Sequence, residues 1–304
     1  MLRRSYLTPR NDTKIIINYQ IKEKVKISII TASYNYADYI EDVINSVINQ
    51  TYENWELIIV DDGSSDSSVE IIKSYCDKDE RIKLFLHEGS QNKGLKETLL
   101  LGVEKSTGDW VAFLESDDFF KPDNLLKKVE VIEKNPSVKL VFNKVEFFGD
   151  EKRSKKLEKD LSPTQNELSK MIFPRNMFYD LYTKNMILTF SSVMVEKEAL
   201  LNTDFNAPVE ALLDWWLWIH LAYKNEFYYV DEVLTSWNLH PQSYISTSKK
   251  PILPTQIKAY FDVYKNNGKN FTVLLFILFS MPKLFIIRIK KILKKVINKL
   301  IPAS

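Results

Sequence analysis

Apolar residues in the first half of the chain alternate between short continuous runs and runs with helical spacing. Continuous runs rich in β-branched and aromatic residues, which are typical of buried strands, occur at 25–31, 55–60, 82–86, 110–114 and 138–142. Helical spacing predicts intervening helices at 40–48, 67–75, 94–106 and from Pro122 onward. Strands that alternate with helices are typical of βαβ units, so the sequence predicts an α/β fold whose mostly parallel sheet is flanked by helices.

Changes in composition divide the chain into five segments. An N-terminal extension at 1–24 precedes the α/β half at 25–150, and a second half at 171–262 is rich in tryptophan and other aromatic residues. The intervening segment 151–170 is dense in charge and poor in large apolar residues, which predicts a mobile loop. The last segment, 263–304, is a basic tail.

The net charge of +2 hides an acidic body and a basic tail. No acidic residue follows Asp262, and the bases after it are Lys265, Lys269, Lys283, Arg288, Lys290, Lys291, Lys294, Lys295 and Lys299. This asymmetry indicates a negatively charged partner for the tail alone. Cys76 is the single cysteine, which excludes an intrachain disulfide and favours a reducing compartment. Residues 1–24 lack the apolar core of a signal peptide, so secretion is not expected.

The tail has the pattern of a cationic amphipathic helix from Leu284 onward, with apolar residues and lysines at helical spacing. The apolar run Val273–Met281 is too short to span a bilayer. We therefore expect attachment in the plane of an anionic membrane surface. The alternatives are a tilted or re-entrant span and a helix packed on the acidic body. The apolar face of the predicted helix argues against binding to nucleic acid.

Carboxylates gather where three predicted strands end. The second strand runs into Asp61 and Asp62, the fourth into Glu115, Asp117 and Asp118, and the first into a polar segment. Ligands of open parallel sheets bind outside the carboxyl ends of the strands, where these groups would lie together. Clustered carboxylates raise one another's pKa unless a cation neutralises them, and Mg²⁺ or Mn²⁺ binds one or two carboxylates together with substrate phosphates. The sequence thus predicts a divalent metal at Asp117 and Asp118, with simple capping of the next helix as the alternative.

Four motifs in order resemble family 2 glycosyltransferases with the GT-A fold. The motifs are ISIITASYN at 27–35, VDDGSSD at 60–66, TGDWVAFLESDD at 107–118 and LLDWWLWIHLA at 212–222. The resemblance extends over roughly 25–244. It implies a nucleotide-sugar-binding half at 25–150, an acceptor-binding and catalytic half at 171–262, and an inverting enzyme of the kind that builds bacterial cell-surface polysaccharide or lipopolysaccharide.

The resemblance also implies roles for individual residues. Tyr34 would stack on the nucleobase, and Asp62 would accept a hydrogen bond from it, with a uracil N–H as the expected donor. Asp118 would bind the metal and Asp117 the metal or the ribose, although the two neighbours could exchange these roles. The other donor-binding candidates are Ala32 through its backbone, Gly94 at a turn, Lys96 and, near the diphosphate, His240, for which a plain loop position is the alternative.

Asp214 is the candidate general base that the resemblance implies. Direct displacement at the anomeric carbon requires the acceptor hydroxyl to lose a proton, and a positioned carboxylate can accept it. One base and one displacement predict inversion of the anomeric configuration. The alternative is that Asp214 caps the tryptophan-rich helix that follows it.

The chain departs from the family pattern at several positions. Leu99 and Leu100 stand where relatives often carry Arg and Asn, which puts a contact to the donor in doubt unless Lys96 compensates. Ala32 replaces a common threonine, Glu115 a common aspartate, and Trp216 a second acidic residue. Sugar rings could stack on Trp215, Trp218 and Trp237. The alternative is that these tryptophans pack in the core, which is the more common role of aromatic residues at helical spacing.

Two other classes of protein remain as alternatives. Carboxylate pairs at strand ends also form the magnesium site of receiver-type signalling domains, and the leucines at 99 and 100 would suit a membrane-bound scaffold without catalysis. The favoured interpretation is a cytoplasmic enzyme, peripheral on the inner face of the cell membrane. Its expected partners are a nucleotide-sugar donor, with UDP as the expected nucleotide, and a saccharide or lipid-linked acceptor.

Overall fold

The computed structural model describes residues 24–207 and 210–240, together with helical positions between 261 and 279. Within these residues one sheet has the strand order β3-β2-β1-β4-β7-β6-β8-β5. Its strands are β1 (Ile27–Ser33), β2 (Trp55–Asp61), β3 (Ile82–Leu86), β4 (Trp110–Phe113), β5 (Phe119–Phe120), β6 (Val138–Gly149), β7 (Val193–Glu196) and β8 (Glu226–Leu239). The five strands predicted from the sequence are confirmed, and β6 extends well beyond its predicted end.

Helices cover both faces of this sheet. They are α1 (Ile40–Ile48), α2 (Ser68–Cys76), α3 (Leu95–Lys105), α4 (Asn124–Lys134), α5 (Glu151–Leu168), α6 (Phe178–Thr183), α7 (Lys197–Leu201) and α8 (Leu213–Ala222). Short 3₁₀ turns lie at Glu88–Ser90, Phe190–Ser192 and Glu210–Leu212. The first four helices are the ones that the apolar spacing predicted.

The strands β3, β2, β1 and β4 are parallel neighbours, with Ile27 opposite both Trp55 and Trp110. Their carboxyl ends therefore meet at one edge. The short strand β7 runs antiparallel between β4 and β6, whereas β6 and β8 pair in parallel. This topology brings the end of β8, which lies late in the sequence, beside the end of β4.

The segment 151–170, predicted as a loop, is instead the helix α5. Asp150 begins it by accepting a hydrogen bond from the Arg153 N–H at 2.8 Å, which satisfies a free donor of the first turn. Leu168 is buried, and the half-buried Leu157 and Leu161 pack against Trp237. The dense charge belongs to the solvated face of this helix, so composition alone indicated the wrong structure.

Two apolar layers enclose the sheet because successive residues of each strand face opposite sides. Ile27 and Ile29 of β1 pack toward α1 and α4, whereas Ile30 packs toward α3 on the other face. The helix α3 lies very close to β1, since a Cβ built on Gly102 would stand 2.5 Å from Ile30 Cγ2. This close packing holds the N-terminus of α3 against the site.

The α4 side of the core contains a buried lysine. Lys128 is 0% exposed, and its Nζ has no hydrogen-bond partner among the described residues. The Nζ lies 5.4 Å from the centroid of the Phe120 ring. Burial lowers the pKa of Lys128 well below its ordinary value, because the charged amine would lose its hydration.

We expect Lys128→Met to stabilise the protein at pH 7 by about 1–3 kcal/mol, because it removes an unpaired buried polar group and keeps the volume. The unfolded chain binds a proton at Lys128 that the folded chain releases, so wild-type stability rises with pH toward the unfolded pKa of about 10.4. The advantage of the variant should therefore shrink as pH increases. Urea unfolding at pH 7 and pH 9.5 measures both effects.

The matched control for this prediction is Lys127→Met on the same helix. Lys127 keeps its amine partly exposed, 3.4 Å from Glu232. We expect this change to leave the free energy of unfolding within about 0.5 kcal/mol of the wild type, as for most surface substitutions. A loss of stability in Lys128→Met would show that the buried amine is satisfied and would contradict the prediction.

Candidate active site

A cavity of about 540 Å³ opens at the carboxyl ends of β1, β2 and β4. Five of the predicted site residues line it, namely Ala32, Tyr34, Asp62, Gly94 and Asp117. The parallel register explains this convergence, because each residue lies at the end of a strand, shortly after it, or just before the next helix. Lys96, Asp118, Asp214 and His240 do not line the cavity wall.

The two aspartates that follow β2 have different surroundings. Asp61 is buried, and its Oδ1 accepts the backbone N–H groups of Gly63 and Ser64 at 3.1 and 2.8 Å. Asp61 therefore shapes the turn. Asp62 faces the cavity, where its two oxygens accept the N–H groups of Lys93 and Gly94 at 2.6 and 2.9 Å.

The N-terminus of α3 forms one wall of the cavity. Gly94 precedes the helix with a φ of +86°, a conformation that side chains other than glycine's adopt only with strain. Leu95 and Leu99 line the cavity one turn apart, so the helix presents an apolar face to it. Lys96 lies on a different face, with its Nζ 2.9 Å from Glu97 Oε1 and 3.4 Å from Asn206 Oδ1.

Two of the sequence-based expectations concern this helix. Lys96 is not among the residues that line the wall, so a contact from Lys96 to a donor stays a prediction. Leu99 is 4% exposed and packs into the core, so nothing polar replaces the side chain that relatives often have there. The side chains that α3 contributes to the wall are therefore those of Leu95, Thr98 and Leu99, and the Thr98 hydroxyl donates a hydrogen bond to the Gly94 carbonyl at 2.8 Å.

Tyr34 stands at the mouth of the cavity with 46% of its surface exposed. Asn35 follows it with a φ of +58°, and the Asn35 Oδ1 accepts the Ser65 N–H at 2.8 Å. This bond joins the loops after β1 and β2 and fixes the backbone that carries Tyr34. Ala32 contributes its carbonyl, which accepts a hydrogen bond of 2.5 Å from the Ser116 hydroxyl.

Asp117 is one of two carboxylates of the β4 motif that line the cavity, the other being Glu115. Asp117 is 8% exposed, and its Oδ2 lies 2.8 Å from Nε2 of His240. The ring of His240 stacks on Tyr39, with centroids 4.7 Å apart. Burial raises the pKa of Asp117, and the neighbouring His240 partly offsets this rise.

Asp118, the residue predicted to bind the metal, is enclosed by protein. It is 0% exposed, its Oδ1 accepts the Asn238 N–H at 2.9 Å, and its Oδ2 lies 3.3 Å from Thr189 Oγ1. Burial and the nearby carboxylates of Glu115 and Asp117 raise its pKa well above the ordinary value. Asp118 thus ties β4 to β8 and β7, behind the cavity wall.

Glu115 connects the two halves of the site. It lines the cavity, and its Oε2 accepts a hydrogen bond of 2.5 Å from the Thr189 hydroxyl. Burial raises the pKa of Glu115 to about 7, with further contributions from the negative charges of Asp117 and Asp214. The charge of Glu115 therefore interacts with the carboxylates of both Asp117 and Asp214.

Asp214 lies in the first turn of α8, outside the cavity wall. Its Oδ2 is 3.4 Å from Nδ2 of Asn185, and burial raises its pKa to about 6. The neighbouring Trp215, Trp216 and Trp218 are core residues with at most 3% exposure. Trp237 lines the cavity and is the tryptophan of the predicted stripe that could face a ligand.

The residues around Asp117 fit a divalent cation. The described residues contain no group of three or more His, Cys, Asp or Glu side chains that could hold a metal ion by themselves. Mg²⁺ and Mn²⁺ do not require one, because they use one or two carboxylates and take the remaining oxygens from phosphates and water. Glu115 and Asp117 both line the cavity, so two carboxylates are available there to such an ion.

Sequence reasoning missed Glu210, Tyr36 and Phe190, which also line the cavity. Glu210 reaches it from the turn before α8, and its Oε1 accepts the Leu95 N–H at 2.6 Å. The burial of Tyr36 beside Asp117 raises the pKa of its hydroxyl. No motif marks these positions, because long-range packing alone brings them to the wall.

The family of the chain follows from sequence comparison. The model of Glycosyl transferase family 2 matches residues 28–201, more than half of the chain. The chain therefore belongs to glycosyl transferase family 2, as its motifs indicated. It is 36% identical over 176 residues to the putative teichuronic acid biosynthesis glycosyltransferase TuaG of Bacillus subtilis strain 168, an alignment that covers 58% of this chain and 64% of TuaG.

Solved structures confirm the GT-A fold. S. aureus TarS 1–349 in complex with UDP-GlcNAc superposes with a TM-score of 0.58 and 19% identity over 79% of this chain and 65% of TarS. The mannosyltransferase PcManGT from Pyrobaculum calidifontis, in complex with GDP-Man and Mn²⁺, gives a TM-score of 0.52 and 15% identity over 87% and 81% of the two chains. At these identities the likeness concerns the fold.

Proposed function

We propose that the protein is a metal-dependent glycosyltransferase that moves a sugar from a nucleoside diphosphate to a hydroxyl of a saccharide or lipid-linked acceptor. The observation that carries the proposal is the convergence of Asp62 and Asp117 on one cavity. Asp214 lies close enough to act electrostatically on Glu115 in that cavity. Family membership and the folds of two sugar-nucleotide complexes support the same activity.

The nucleoside end of the donor is assigned to Tyr34 and Asp62. The exposed ring of Tyr34 offers a flat surface at the mouth for a base to stack on. Each oxygen of Asp62 accepts one backbone N–H, which leaves further lone pairs for a base N–H. We keep uracil as the expected base, since its single N–H suits one carboxylate.

We assign to Asp117 the binding of the donor's diphosphate through a divalent metal ion. The exposure of Asp117 to the cavity favours it over the enclosed Asp118 as the metal ligand, which reverses the preference drawn from the sequence. A divalent cation bound there would offset the negative charge that develops on the leaving diphosphate. His240 holds the Asp117 carboxylate in place through its Nε2, 2.8 Å away.

Asp214 is assigned as the general base. The acceptor oxygen forms a bond to the anomeric carbon as the bond to the diphosphate oxygen breaks, and the hydroxyl proton passes to the Asp214 carboxylate. A pKa raised to about 6 places this base near neutral pH, where it is ionised and still basic enough to accept the proton. A single displacement of this kind inverts the anomeric configuration.

A panel of sugar nucleotides with and without Mn²⁺ tests the proposal. Donor hydrolysis or transfer should appear with at least one donor and should disappear with EDTA. Turnover that survives complete metal removal would contradict the role of Asp117. Metal-linked nucleotide binding without turnover of any donor would instead indicate a scaffold that has lost catalysis.

We also propose that the basic tail attaches the protein to the inner face of the cytoplasmic membrane. Residues 280–304, and with them the whole of the amphipathic helix predicted from Leu284 onward, lie outside the described residues. The described helical positions Phe271 and Phe279 are 69% and 74% exposed, and Leu275 between them is 36% exposed. These three exposed side chains are apolar and stand four residues apart in the sequence. No helix within the described residues is long and apolar enough to cross a membrane.

Substituting Lys290, Lys291, Lys294 and Lys295 by glutamine in the full chain should weaken binding to anionic vesicles at least tenfold, because each basic residue near an anionic surface contributes about 1 kcal/mol. Cosedimentation with phosphatidylglycerol vesicles measures the loss, and phosphatidylcholine vesicles provide the uncharged control. Equal binding of both proteins to anionic vesicles would reject an electrostatic role for the tail.

A further inference from the structure

The segment that follows β3 borders the carboxylate of Asp62. Its backbone donates two hydrogen bonds to that carboxylate, from the Lys93 N–H to Oδ1 at 2.6 Å and from the Gly94 N–H to Oδ2 at 2.9 Å. The turn after Asp62 packs tightly on the same segment, since a Cβ built on Gly63 would stand 2.6 Å from the carbonyl oxygen of Ser90. The carboxylate is therefore held between two closely packed loops.

His87 is the first residue after β3, and it places an imidazole beside this carboxylate. Its Nε2 lies 3.5 Å from Asp62 Oδ1 and 3.0 Å from Thr98 Oγ1. The side chains of His87 and Asp62 are only 10% and 8% exposed, so salt and water screen their interaction weakly. The reaction proposed above gives His87 no role.

Hydrogen bonding determines which hydrogen atom the imidazole carries. The Thr98 hydroxyl has a single hydrogen, which it donates to the Gly94 carbonyl oxygen at 2.8 Å. Thr98 Oγ1 must then accept its bond from His87, which requires a hydrogen on Nε2. A bare Nε2 would also turn its lone pair toward the negative Asp62 Oδ1. The imidazole therefore presents an N–H to both oxygens.

This N–H restrains the carboxylate of Asp62. Thr98 belongs to α3, so its bond to His87 fixes the imidazole between the end of β3 and this helix. The fixed N–H attracts Oδ1 and opposes rotation of the Asp62 side chain. A ligand that bonds to a carboxylate already held in place loses less free energy to ordering than one that bonds to a mobile group.

We infer that His87 is a positioning residue for the nucleobase, and that it holds the Asp62 carboxylate in the orientation that accepts the base N–H. The inference rests on the proposed function, since it adds a residue to the site assigned there to the base. It follows from the two contacts of His87 Nε2 and from the burial of both side chains. His87 acts through Asp62 and does not itself line the cavity.

The test compares UDP with N3-methyl-UDP, in which a methyl group replaces the hydrogen of the base N–H. GDP and N1-methyl-GDP form a second pair, in case guanine is the preferred base. Calorimetric titration of the full chain with Mn²⁺ gives each Kd and needs no acceptor. We expect the wild type to bind the methylated nucleotide about tenfold more weakly or worse, because Asp62 loses a charge-assisted hydrogen bond.

Two variants of His87 separate positioning from packing. His87→Phe keeps a ring and removes the N–H, whereas His87→Gln loses the ring and keeps an N–H donor. We expect the ratio of methylated to unmethylated Kd to fall about threefold or more in His87→Phe, as for residues that are coupled through a contact. His87→Gln should keep most of the ratio. A residue that only packs would give the opposite order.

Glu88→Gln is the matched control. Glu88 adjoins His87 in the chain, is exposed and does not line the cavity. This change should leave the ratio unchanged, as expected for a surface substitution. Pyrophosphate with Mn²⁺ provides a second control, because it lacks a base. It should bind His87→Phe and the wild type equally.

The outcomes that contradict the inference differ from those that contradict the proposed function. An unchanged ratio in His87→Phe, or the same fall in Glu88→Gln, would overturn the inference. A loss of pyrophosphate binding in His87→Phe as large as the loss of UDP binding would also overturn it, since His87 would then act on the whole site. Equal binding of both members of each pair by the wild type would reject the bond between Asp62 and the base. Binding of no nucleoside diphosphate with Mn²⁺ would instead reject the proposed function itself.

Discussion

Asp117→Asn is expected to weaken Mn²⁺-dependent donor binding at least about 100-fold, because substitutions in the outer shell of a metal site already cost 10–100-fold in affinity. The asparagine keeps the size of the side chain and a contact to His240, so the fold should remain. What it removes is the charge that faces the cavity. Calorimetric titration of UDP with and without Mn²⁺ measures the change.

Asp118→Asn is the informative comparison. Asp118 accepts the Asn238 N–H behind the wall, and the amide oxygen of asparagine can accept the same bond. We expect this variant to retain metal-linked donor binding within about threefold of the wild type, since the wall keeps Asp117. If Asp118→Asn lost the metal dependence and Asp117→Asn kept it, the assignment of the two aspartates would have to be exchanged.

Asp214→Asn is expected to lower kcat by about 10²–10⁴-fold, the usual contribution of a positioned general base. Donor affinity should change little, because Asp214 lies outside the wall that binds the nucleotide. Steady-state transfer rates and donor titrations on the same preparation separate the two effects. Asp231→Asn on β8 is the control, since that carboxylate is exposed and pairs with Lys144.

The pH dependence of transfer is a second test of Asp214. The base must be ionised to accept a proton, so wild-type transfer should fall as pH decreases through about 6, the pKa to which burial raises Asp214. The residual activity of Asp214→Asn should lack this acidic limb. A limb of the same position in the variant would show that another group, such as Glu115, controls the profile.

The sequence predicted the donor half of the fold well because its signals are local. Each strand of the parallel set is a short apolar run, and each helix after it has one apolar stripe. The order of strands with carboxylates at their ends then predicts a site at one edge of the sheet. This reasoning placed Tyr34, Asp62 and Asp117 on one cavity, and the structure brings them together there.

Local sequence patterns predicted the wrong structure where contacts between residues far apart in the chain determine it. The helix α5 looked like a loop because its sequence is mostly charged, yet the packing of Leu157, Leu161 and Leu168 on the molecule outweighs that composition. The sequence offers Lys96 as a replacement for the polar pair that Leu99 and Leu100 lack. In the structure Lys96 is not among the residues that line the wall, and its Nζ lies 2.9 Å from Glu97 Oε1.

By itself, the sequence determined the family, the parallel strands of the first half and the carboxylates at the ends of those strands, because these depend on periodicity and on motifs at strand ends. The different surroundings of Asp117 and Asp118 depend on tertiary structure alone, since Asp118 is enclosed through a bond to Asn238, 120 residues away. It also added Glu210, which reaches the wall from the turn before α8. A sequence records which groups exist, but long-range packing sets which oxygen faces solvent and which is enclosed.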